Sequence, residues 1–505
     1  KDKVEELGLL KMDFLGLKNL TIIDDCLENI HQTHPDFDID KIPENDKKTF
    51  DLFSKGNTNG IFQFESDGIK RVIRELKPRS IEDLTAVTSL YRPGPSQSIP
   101  EYIKNRHNPQ NVKYASDLLK PILDVTYGCL VYQEQVMQVF RTLGGYSFAR
   151  ADIVRRAMSK KKHDVLRKER NTFIEGCKKR GVAESVASDL FEKISAFSSY
   201  AFNKAPAVCY ATLAYRNGYL KTHFPKEYMA ALMTSVLDSP TKIQVYIAEC
   251  ATLGIEVSPP NINRGRYNFS ADEDGICFGL SAIKNISYAV INEVVREREL
   301  HGDFLSLPDF CKRMSGKGIN RKTVEAMIKS GCFDNLNSTR KDMLEALDRI
   351  LAEVATDTRR EISGQIGFFD ITDIAPPQII IPKTKEFDKE TLAAFEREAL
   401  GFCVTANPLL DFVEYSKKNG CATADSVSEM SDGEYVKIIG VVSKIKKKQT
   451  KSGDMMQFVT IEALYGNVNL IIFPKALIKL FPLIKEGATL LFSGRASIKD
   501  DESVE

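Results

Sequence analysis

A chain of 505 residues is long enough for about three or four domains of ordinary size. The 70 Lys and Arg nearly balance the 69 Asp and Glu, and the net charge of +1 excludes an overall basic excess as an argument for nucleic-acid binding; only local clusters can supply one. Ten scattered cysteines without a Cys-x-x-Cys spacing argue against a zinc ribbon and favour a reducing, cytoplasmic compartment. No apolar run approaches about 18 residues, so we expect no membrane span.

The first predicted element is a short strand within LGLLKMDFLGL. Leu10, Met12 and Phe14 alternate there with Lys11 and Asp13. Because side chains alternate between the two faces of a strand, this pattern predicts an apolar face and, opposite it, a face that carries Lys11 and Asp13 together.

The next predicted feature is an acidic repeat, HPDFDID at 34–40. On a strand, Asp36, Asp38 and Asp40 would share one face, and paired carboxylates at that spacing are what a two-metal phosphoryl-transfer site needs. The stretch continues towards Pro43, which cannot donate to a strand ladder.

Helical periodicity dominates residues 18–235, interrupted by turns such as YRPGPSQSIP at 91–100. Helical segments with glycine-containing turns continue over 278–350. Residues 354–388 lose periodicity and contain APPQIIIPKT, which predicts a linker or a loosely packed loop, and a helix resumes near 389–400.

From residue 433 the hydrophobic period becomes two, and short strands joined by glycine turns predict a small barrel. The first residue is Lys rather than Met, and the last residues follow a strand-like segment. We therefore expect an internal piece of a longer protein with a multidomain α+β fold.

Local charge is uneven in spite of the neutral total. Residues 141–180 hold 13 Lys or Arg against four acidic residues, and on a helix Arg156 and Lys160 are neighbours. A solvated basic helix and a phosphate-binding surface both explain this cluster. A second basic stretch, SKIKKKQTKSG at 443–453, suits either a single-stranded nucleic-acid groove or a strand edge protected by lysines.

Two helical segments resemble helix-hairpin-helix units, which offer backbone N–H groups at a helix start to a phosphate. In FGLSAIKNISYAVINEVVRE, Ser287 is the expected helix cap; in GKGINRKTVEAMIKSGCFDNL, Asn320 is the expected cap and Gly331 the expected stop. Plain helical hairpins remain the alternative.

Six motifs then occur in one order: GLLKMDFLGLKNLTII, GIFQFES, YRPGP, YQEQVMQ, RRAMSKKK and AFNKAPAVCYA. Together they resemble the alpha subunit of bacterial replicative DNA polymerase III, the DnaE type of C-family polymerase, over essentially the whole chain. The resemblance implies the end of a palm at 1–17, mainly helical fingers at 18–235, a helix-hairpin-helix and sliding-clamp-binding region at 236–432, and a truncated OB-fold at 433–505.

The resemblance implies a catalytic role for Asp13, as one of three aspartates that hold two Mg²⁺ ions, with Lys11 near the substrate phosphates. The other two aspartates are expected upstream of Lys1, so we expect the isolated chain to be inactive. The stretch 34–40 follows Asp13, whereas the family's aspartate pair precedes it. We therefore interpret HPDFDID as a coincidental resemblance to the family's aspartate motif.

The resemblance also assigns binding residues. The triphosphate of the incoming dNTP would meet Arg155, Arg156, Asn203, Lys204 and Tyr210. Primer–template DNA would meet Lys160, Lys161, Lys162, Lys284, Asn285, Ser287, Lys446, Lys447 and Lys448. The clamp motif QIGFF would use Gln365, Ile366, Phe368 and Phe369.

Three departures from the family pattern stand out. Pro206 takes the place of a usual His, and Asn285 and Ser287 replace the glycines of the hairpin. Asn tolerates a left-handed conformation, so the turn can survive.

The partners that the resemblance implies are DNA, dNTPs, the sliding clamp, and the proofreading and clamp-loader subunits, in the cytoplasm and without a membrane. Two other hypotheses remain: a non-catalytic DNA-binding and clamp-tethering module, and a nuclease or repair factor that uses Asp36, Asp38 and Asp40.

Overall fold

The structure is a computed structural model that describes residues 4, 6–10, 12, 14, 16–159, 163–198, 200–363, 381, 383–405, 407–428, 430–450, 453–463 and 466–497. The chain divides into two compact units. One is Asp38–His223, and the other combines the residues before Asp38 with those after His223. No helix in the described part is long and apolar enough to cross a membrane.

The first helix, α1 (Lys18–His31), belongs to the second of these units and buries Ile22, Ile23, Cys26 and Ile30. The chain then enters the unit Asp38–His223, whose described part is mainly helical. Its α-helices are α2 (Lys47–Lys55), α3 (Asp67–Leu76), α4 (Ile81–Leu90), α5 (Ile99–His107), α6 (Lys120–Leu123), α7 (Gln133–Thr142), α8 (Phe148–Ser159), α9 (His163–Lys178), α10 (Glu184–Ser198) and α11 (Lys204–His223).

Phe140 lies at the centre of one core of this unit. Its ring centroid is 5.0 Å from that of Phe173, 5.4 Å from that of Tyr146 and 6.1 Å from that of Phe191. These buried rings bring α7, α9 and α10 together, and aromatic edge contacts of this kind add to the gain from burying apolar area.

A second core lies along α11. Tyr215 packs against Phe50 of α2, and Phe53 approaches α11 so closely that a Cβ on Gly218 would lie 2.7 Å from the Phe53 ring. Only a residue without a side chain fits there. The second half of α11 is thereby packed closely against α2.

The other unit continues with α12 (Pro225–Thr234) and α13 (Pro240–Thr252). A small sheet follows, made of β1 (Glu256–Val257), β2 (Ser270–Ala271) and β3 (Gly275–Cys277); β3 is central, parallel to β1 and antiparallel to β2. The following helices are α14 (Tyr288–His301), α15 (Leu307–Arg313), α16 (Arg321–Lys329), α17 (Arg340–Ser363), α18 (Lys389–Leu400), α19 (Val413–Lys418) and α20 (Ala424–Ser428).

The predicted helix signals of this region are confirmed. The Ser287 hydroxyl accepts a hydrogen bond from the Val290 N–H at the start of α14, and the Asn320 side chain accepts one from the Thr323 N–H at the start of α16. Gly331 follows α16 with a φ of +82°, and Asn285 has a φ of +64°. Each residue therefore adopts the conformation that its chemistry favours.

The C-terminal part is an antiparallel sheet of β4 (Tyr435–Gln449), β5 (Met455–Ala463), β6 (Gly466–Ile472) and β7 (Thr489–Arg495), in the order β6-β5-β4-β7, with α21 (Pro474–Leu480) between β6 and β7. The long β4 pairs first with β7 and then with β5, and the register shifts between Val442 and Lys444. A bulge of this kind bends a strand, which allows one strand to serve both sides of a curled sheet. The predicted α+β class and the OB-like sheet are confirmed.

The predicted strand at the start of the chain is not observed: Leu9, Leu10, Met12, Phe14, Gly16 and Leu17 lie in no strand, and Lys11, Asp13 and Leu15 are outside the described residues. The side chains of Leu10, Met12 and Phe14 are exposed. A strand needs a neighbour to satisfy its backbone, and no described strand pairs with this segment.

The predicted linker starts too early. Helix α17 continues to Ser363, well past residue 354, because its many Arg and Glu residues keep a good helix propensity without a continuous apolar face. Residues 364–380 and 382 of the predicted linker lie outside the described residues.

Candidate nucleic-acid interface

The candidate site in the unit Asp38–His223 is built around the segment 202–204, which leads into α11. A bridge between Tyr132 and Phe202 holds the segment beside the start of α7. The side-chain oxygen of Gln135 accepts from the N–H groups of Val131 and Tyr132, at 2.9 Å and 3.0 Å, and so fixes the start of α7. The first turn of α7 is therefore a stable platform for the segment.

Glu134 and Gln133, both in that first turn, bind the segment directly. The Glu134 carboxylate accepts from the Lys204 backbone N–H at 3.0 Å and 3.1 Å, which satisfies a donor at the start of α11. The Gln133 side-chain amide donates to the Ala201 carbonyl at 3.0 Å, and its backbone N–H donates to the Phe202 carbonyl at 2.8 Å.

The Lys204 ammonium points back over the same platform. It donates to Glu82 Oε1 at 3.1 Å and lies 5.3 Å from the centroid of the Tyr132 ring. One carboxylate and one aromatic face thus hold this half-buried cation.

Arg155 and Arg156 lie near the end of α8 and share one carboxylate. Asp152 Oδ1 accepts from Arg155 Nε and Nη2 at 3.1 Å and 2.8 Å, and Asp152 Oδ2 lies 2.7 Å from Arg156 Nη2. The hydrogen bond from Arg155, assisted by the charge of Arg156, holds the pKa of the Asp152 carboxyl below its ordinary value, so the carboxylate is ionised.

Arg155 also reaches the platform, because its Nη1 donates to Gln133 Oε1 at 3.0 Å.

Asn203 is exposed, and its side chain accepts from the Ala205 N–H at 3.1 Å. Tyr210 lies further along α11, with its ring centroid 5.4 Å from that of Phe62. Pro206 stands in the first turn of α11, where a missing N–H costs no helix hydrogen bond.

The first turn of α7 therefore brings Arg155, together with Arg156, and Lys204 to one platform, through Gln133 and Glu134. Asn203 belongs to the attached segment, but its side chain bonds locally to the Ala205 N–H rather than to these cations. Such an arrangement offers guanidinium and ammonium donors to an anion with several oxygens, such as a triphosphate.

The sequence alone gave no role to the motif YQEQ and only a turn to the motif YRPGP, yet both support the segment 202–204. Gln133 and Glu134 of the first motif bind the segment as described. Arg92 of the second donates from Nη2 to the Tyr200 carbonyl at 2.8 Å, and its guanidinium carbon lies 4.4 Å from the Phe202 ring centroid. The available signal for such a role was the pair Gln133 and Glu134, two polar side chains next to an apolar stretch of sequence.

Several predicted site residues lie outside the part of the chain that the structure describes: Lys11, Asp13, Lys160, Lys161, Lys162, Gln365, Ile366, Phe368 and Phe369. Among the residues that are described, no three His, Cys, Asp or Glu side chains gather closely enough to hold a metal ion, and all ten cysteines are free.

The acidic stretch 34–40 is not a strand. Its residues form turns that lead into a 3₁₀ helix at Ile39–Lys41, and Asp38 caps this turn by accepting from the Asp40 N–H at 3.0 Å. Asp38 pairs with Lys41, and Asp40 pairs with Arg216. The predicted common face for three carboxylates is therefore wrong. This agrees with the interpretation that the stretch resembles the family's aspartate motif only by coincidence.

The second candidate surface is formed by the starts of α14 and α16. Lys284, beside Asn285, donates from its backbone N–H to the Ala399 carbonyl and from Nζ to the Glu398 carbonyl, both at 2.9 Å. The Asn285 carbonyl accepts from the Thr323 hydroxyl at 3.1 Å. Two helix starts are thus joined side by side, each with N–H groups that the helix itself cannot satisfy.

The third candidate surface is the hairpin of β4 and β5. Lys446, Lys447 and Lys448 are exposed near the end of β4. The Lys447 ammonium lies 5.6 Å from the centroid of the exposed Phe481 ring, and the Lys448 ammonium lies 5.9 Å from that of Phe458. Cations and aromatic faces together suit single-stranded nucleic acid.

Comparison with known families gives three matches. Residues 19–181 match the bacterial DNA polymerase III alpha subunit finger domain, residues 254–343 match a helix-hairpin-helix motif, and residues 436–505 match an OB-fold nucleic acid binding domain. The three candidate surfaces thus lie within or next to segments with a family match.

Relatives align with nearly the whole chain. The DNA polymerase III subunit alpha of Borreliella burgdorferi is 38% identical over 510 residues, which cover 99% of this chain and 44% of that protein. The corresponding proteins of Thermus aquaticus and Bacillus subtilis are 38% and 36% identical, over 97% and 99% of this chain and 40% and 45% of their own length. The chain thus spans less than half the length of these curated relatives. It belongs to the family of the bacterial DNA polymerase III alpha subunit.

Proposed function

We propose that this chain is part of a DNA-directed DNA polymerase, which adds dNTPs to a primer 3′ end during chromosomal replication. The observation that carries the proposal is the network that joins Arg155, Arg156 and Lys204 around the segment 202–204, in a unit that matches the finger domain over much of its length. These side chains would bind the triphosphate of the incoming dNTP.

Electrostatics supports this role. Charge spreads over phosphate oxygens during phosphoryl transfer, and a fixed set of cations stabilises that charge without reorganisation. The side chain of Arg156 is 68% exposed and therefore accessible to a ligand, whereas Arg155 and Lys204 are held by Gln133, Asp152 and Glu82.

The metal chemistry proposed for the whole protein requires two Mg²⁺ ions held by three aspartates, which would activate the primer hydroxyl and stabilise the leaving pyrophosphate. The described residues contain no group that fits this requirement. Asp13, the proposed ligand within this chain, lies outside them. We propose that its two partners come from the rest of the protein.

The other two surfaces would bind DNA. The paired helix starts at Asn285 and Ser287 suit the phosphates of a duplex, since backbone N–H groups contact the DNA backbone without reading sequence. The lysines of the β4–β5 hairpin suit a single strand. Both would hold the primer–template while nucleotides are added.

We further propose a sliding clamp as partner of the QIGFF motif at 365–369, with the proofreading and clamp-loader subunits as further partners in the cytoplasm. A clamp pull-down tests the motif: Phe368→Ala combined with Phe369→Ala should abolish capture. Unchanged capture would remove this motif from the proposal.

A second candidate for the chain by itself is a non-catalytic DNA-binding and clamp-tethering module. The observation that favours it is the absence of a three-carboxylate group within the described residues. Primer extension with Mg²⁺ and four dNTPs distinguishes the two candidates: the 505 residues alone should bind DNA without extending a primer, and the full-length protein should extend it.

The decisive comparison uses two variants of the full-length protein. Asp13→Ala should abolish primer extension, and Asp38→Ala should leave it unchanged because Asp38 only caps a turn and pairs with Lys41. Extension that survives Asp13→Ala but is lost in Asp38→Ala would instead support a catalytic role for the acidic stretch.

A further inference from the structure

We infer that Asp152 and Gln133 are positioning residues that hold Arg156 and the segment 202–204 in one fixed geometry, and that Arg155 connects the two by hydrogen bonds to both. This inference rests on the proposed nucleotide-binding function. Arg156 meets the phosphates, and Asp152, Arg155 and Gln133 place it.

Arg155 and Arg156 differ in their surroundings. The Arg155 side chain is 16% exposed, and its guanidinium is divided between Asp152, through Nε and Nη2, and Gln133, through Nη1. The Arg156 side chain is 68% exposed and meets the same carboxylate through Nη2. Arg156 therefore presents most of its donor surface to solvent, while Arg155 presents little.

Asp152 gives the arginine pair a fixed arrangement. It lies three residues before Arg155 and four before Arg156 on α8, so all three side chains share one face of the helix. Each of its two oxygens takes one guanidinium, Oδ1 that of Arg155 and Oδ2 that of Arg156. The carboxylate offsets the repulsion between the two cations and restricts the rotamers of both.

Gln133 connects the arginine pair to the segment 202–204. Its oxygen accepts from Arg155, its side-chain nitrogen donates to the Ala201 carbonyl, and its backbone N–H donates to the Phe202 carbonyl. A side-chain amide accepts and donates at once, which neither a carboxylate nor an apolar side chain does. Gln133 is thus matched to both neighbours.

The experiment measures steady-state primer extension by the full-length protein, with the dNTP and the primer–template varied separately. The test variants are Asp152→Asn, Gln133→Met and the isosteric Gln133→Glu, which keeps the acceptor and loses the donor. The matched control is Glu169→Gln. It removes a carboxylate of α9 that lies 3.0 Å from Arg150, a residue of α8 outside the network. Arg156→Ala serves as the reference for loss of the phosphate donor.

We expect Asp152→Asn and Gln133→Met to raise the KM for dNTP by about five- to tenfold, the range for one or two lost charge-assisted hydrogen bonds, with kcat and the KM for primer–template within about twofold of the unmodified protein. Gln133→Glu should raise the KM for dNTP by a smaller factor, and it keeps the test usable if Asp152→Asn does not fold. Glu169→Gln should change each constant by less than about twofold.

The outcomes separate this inference from the function on which it rests. If Arg156→Ala raises the KM for dNTP while Asp152→Asn and both Gln133 variants leave it unchanged, the positioning role is wrong and the nucleotide-binding function stands. An equal rise in the KM for primer–template would mean general loss of structure and would also refute the positioning role. If the full-length protein does not extend a primer, or if Arg156→Ala leaves the KM for dNTP unchanged, the proposed nucleotide site fails and the inference with it.

Discussion

The Thr323 hydroxyl donates to the Asn285 backbone carbonyl over 3.1 Å, and this contact joins the first turn of α16 to the left-handed turn before α14. Thr323 is buried, so its hydroxyl has little access to water as an alternative partner. The two helix starts proposed to meet DNA phosphates are therefore held at a fixed spacing.

Thr323→Val should loosen this spacing. The substitution keeps the shape of the side chain and removes the donor, so we expect local stability to fall by about 1 kcal/mol and duplex binding to weaken. Hydrogen–deuterium exchange of the amides in α14 and α16 measures the first effect, and fluorescence anisotropy with a labelled duplex measures the second.

Thr356→Val is the control, because the exposed Thr356 hydroxyl donates only to the carbonyl of Ala352 within its own helix. It should alter neither measurement. Equal duplex affinity for Thr323→Val and the unmodified chain would show that the spacing does not contribute to binding.

The hairpin of β4 and β5 should give salt-dependent binding to single-stranded DNA. Lys446 and Lys448 share one face of β4 because side chains alternate along a strand. Replacing both with Ala should reduce the slope of log affinity against log salt concentration by about 1 to 1.5, since each phosphate contact on a single strand contributes about 0.7.

The matched control replaces Lys417 and Lys418, two cations at the end of α19, with Ala. This variant has the same change in net charge and should keep the slope of the unmodified chain. An equal reduction in both variants would mean that net charge, rather than the hairpin, governs binding.

Sequence patterns predicted the local structure well wherever a residue's own chemistry determines the backbone. Ser287 and Asn320 cap helices because their side-chain oxygens accept from nearby N–H groups, and Asn285 adopts the left-handed turn that its short polar side chain tolerates. The alternation of apolar residues predicted the C-terminal strands for the same reason, because one face of that sheet is buried.

The contacts that define the candidate site could not be predicted in this way. Gln133 and Glu134 contact the segment 202–204, which lies about seventy residues further along the sequence. No local sequence pattern indicates which residues these side chains bind. The alternation at Leu10, Met12 and Phe14 predicted a strand, but the pattern alone supplies no neighbouring strand. Long-range pairing decided both cases.

Glu297 should give part of the helix-hairpin-helix region a stability that depends on pH. This carboxylate, largely buried, binds Lys317 in the loop between α15 and α16, and it also meets Arg313 at 3.2 Å and His301 at 2.9 Å. The hydrogen bond from Lys317, together with that from Arg313, lowers the pKa of Glu297 to about 2.

A lowered carboxyl pKa means that the contribution to stability is present above the pKa of the unfolded chain, near 4.3, and is lost as the pH falls through the folded value. Glu297→Gln should therefore destabilise the region at pH 7, and the difference from the unmodified chain should shrink between about pH 5 and pH 2. Urea unfolding at several pH values measures this. Glu293→Gln, in an exposed pair on the same helix, should show no such trend, and a constant difference for Glu297→Gln would contradict the assignment.

The buried pair of Arg340 and Glu396 should be costly to break. Both side chains are almost fully buried, and Nη2 of Arg340 lies 3.1 Å from Glu396 Oε1. The second oxygen of Glu396 accepts from the N–H groups of Val404 and Thr405, at 2.6 Å and 3.0 Å. One carboxylate thus joins the start of α17 to α18 and the turn that follows it.

Glu396→Ala should destabilise the region by about 2–4 kcal/mol, because it leaves two backbone donors without an acceptor and leaves the buried guanidinium with Asp334, 2.7 Å away, as its remaining carboxylate partner. Exchange of the α18 amides, followed at increasing urea, measures the loss. Asp411→Ala breaks the exposed pair between Asp411 and Lys389 of α18, which lie 2.7 Å apart, and should cost less than about 0.5 kcal/mol. Similar costs for the two variants would mean that burial does not set the strength of this contact, and that α18 is held to α17 by its apolar face instead.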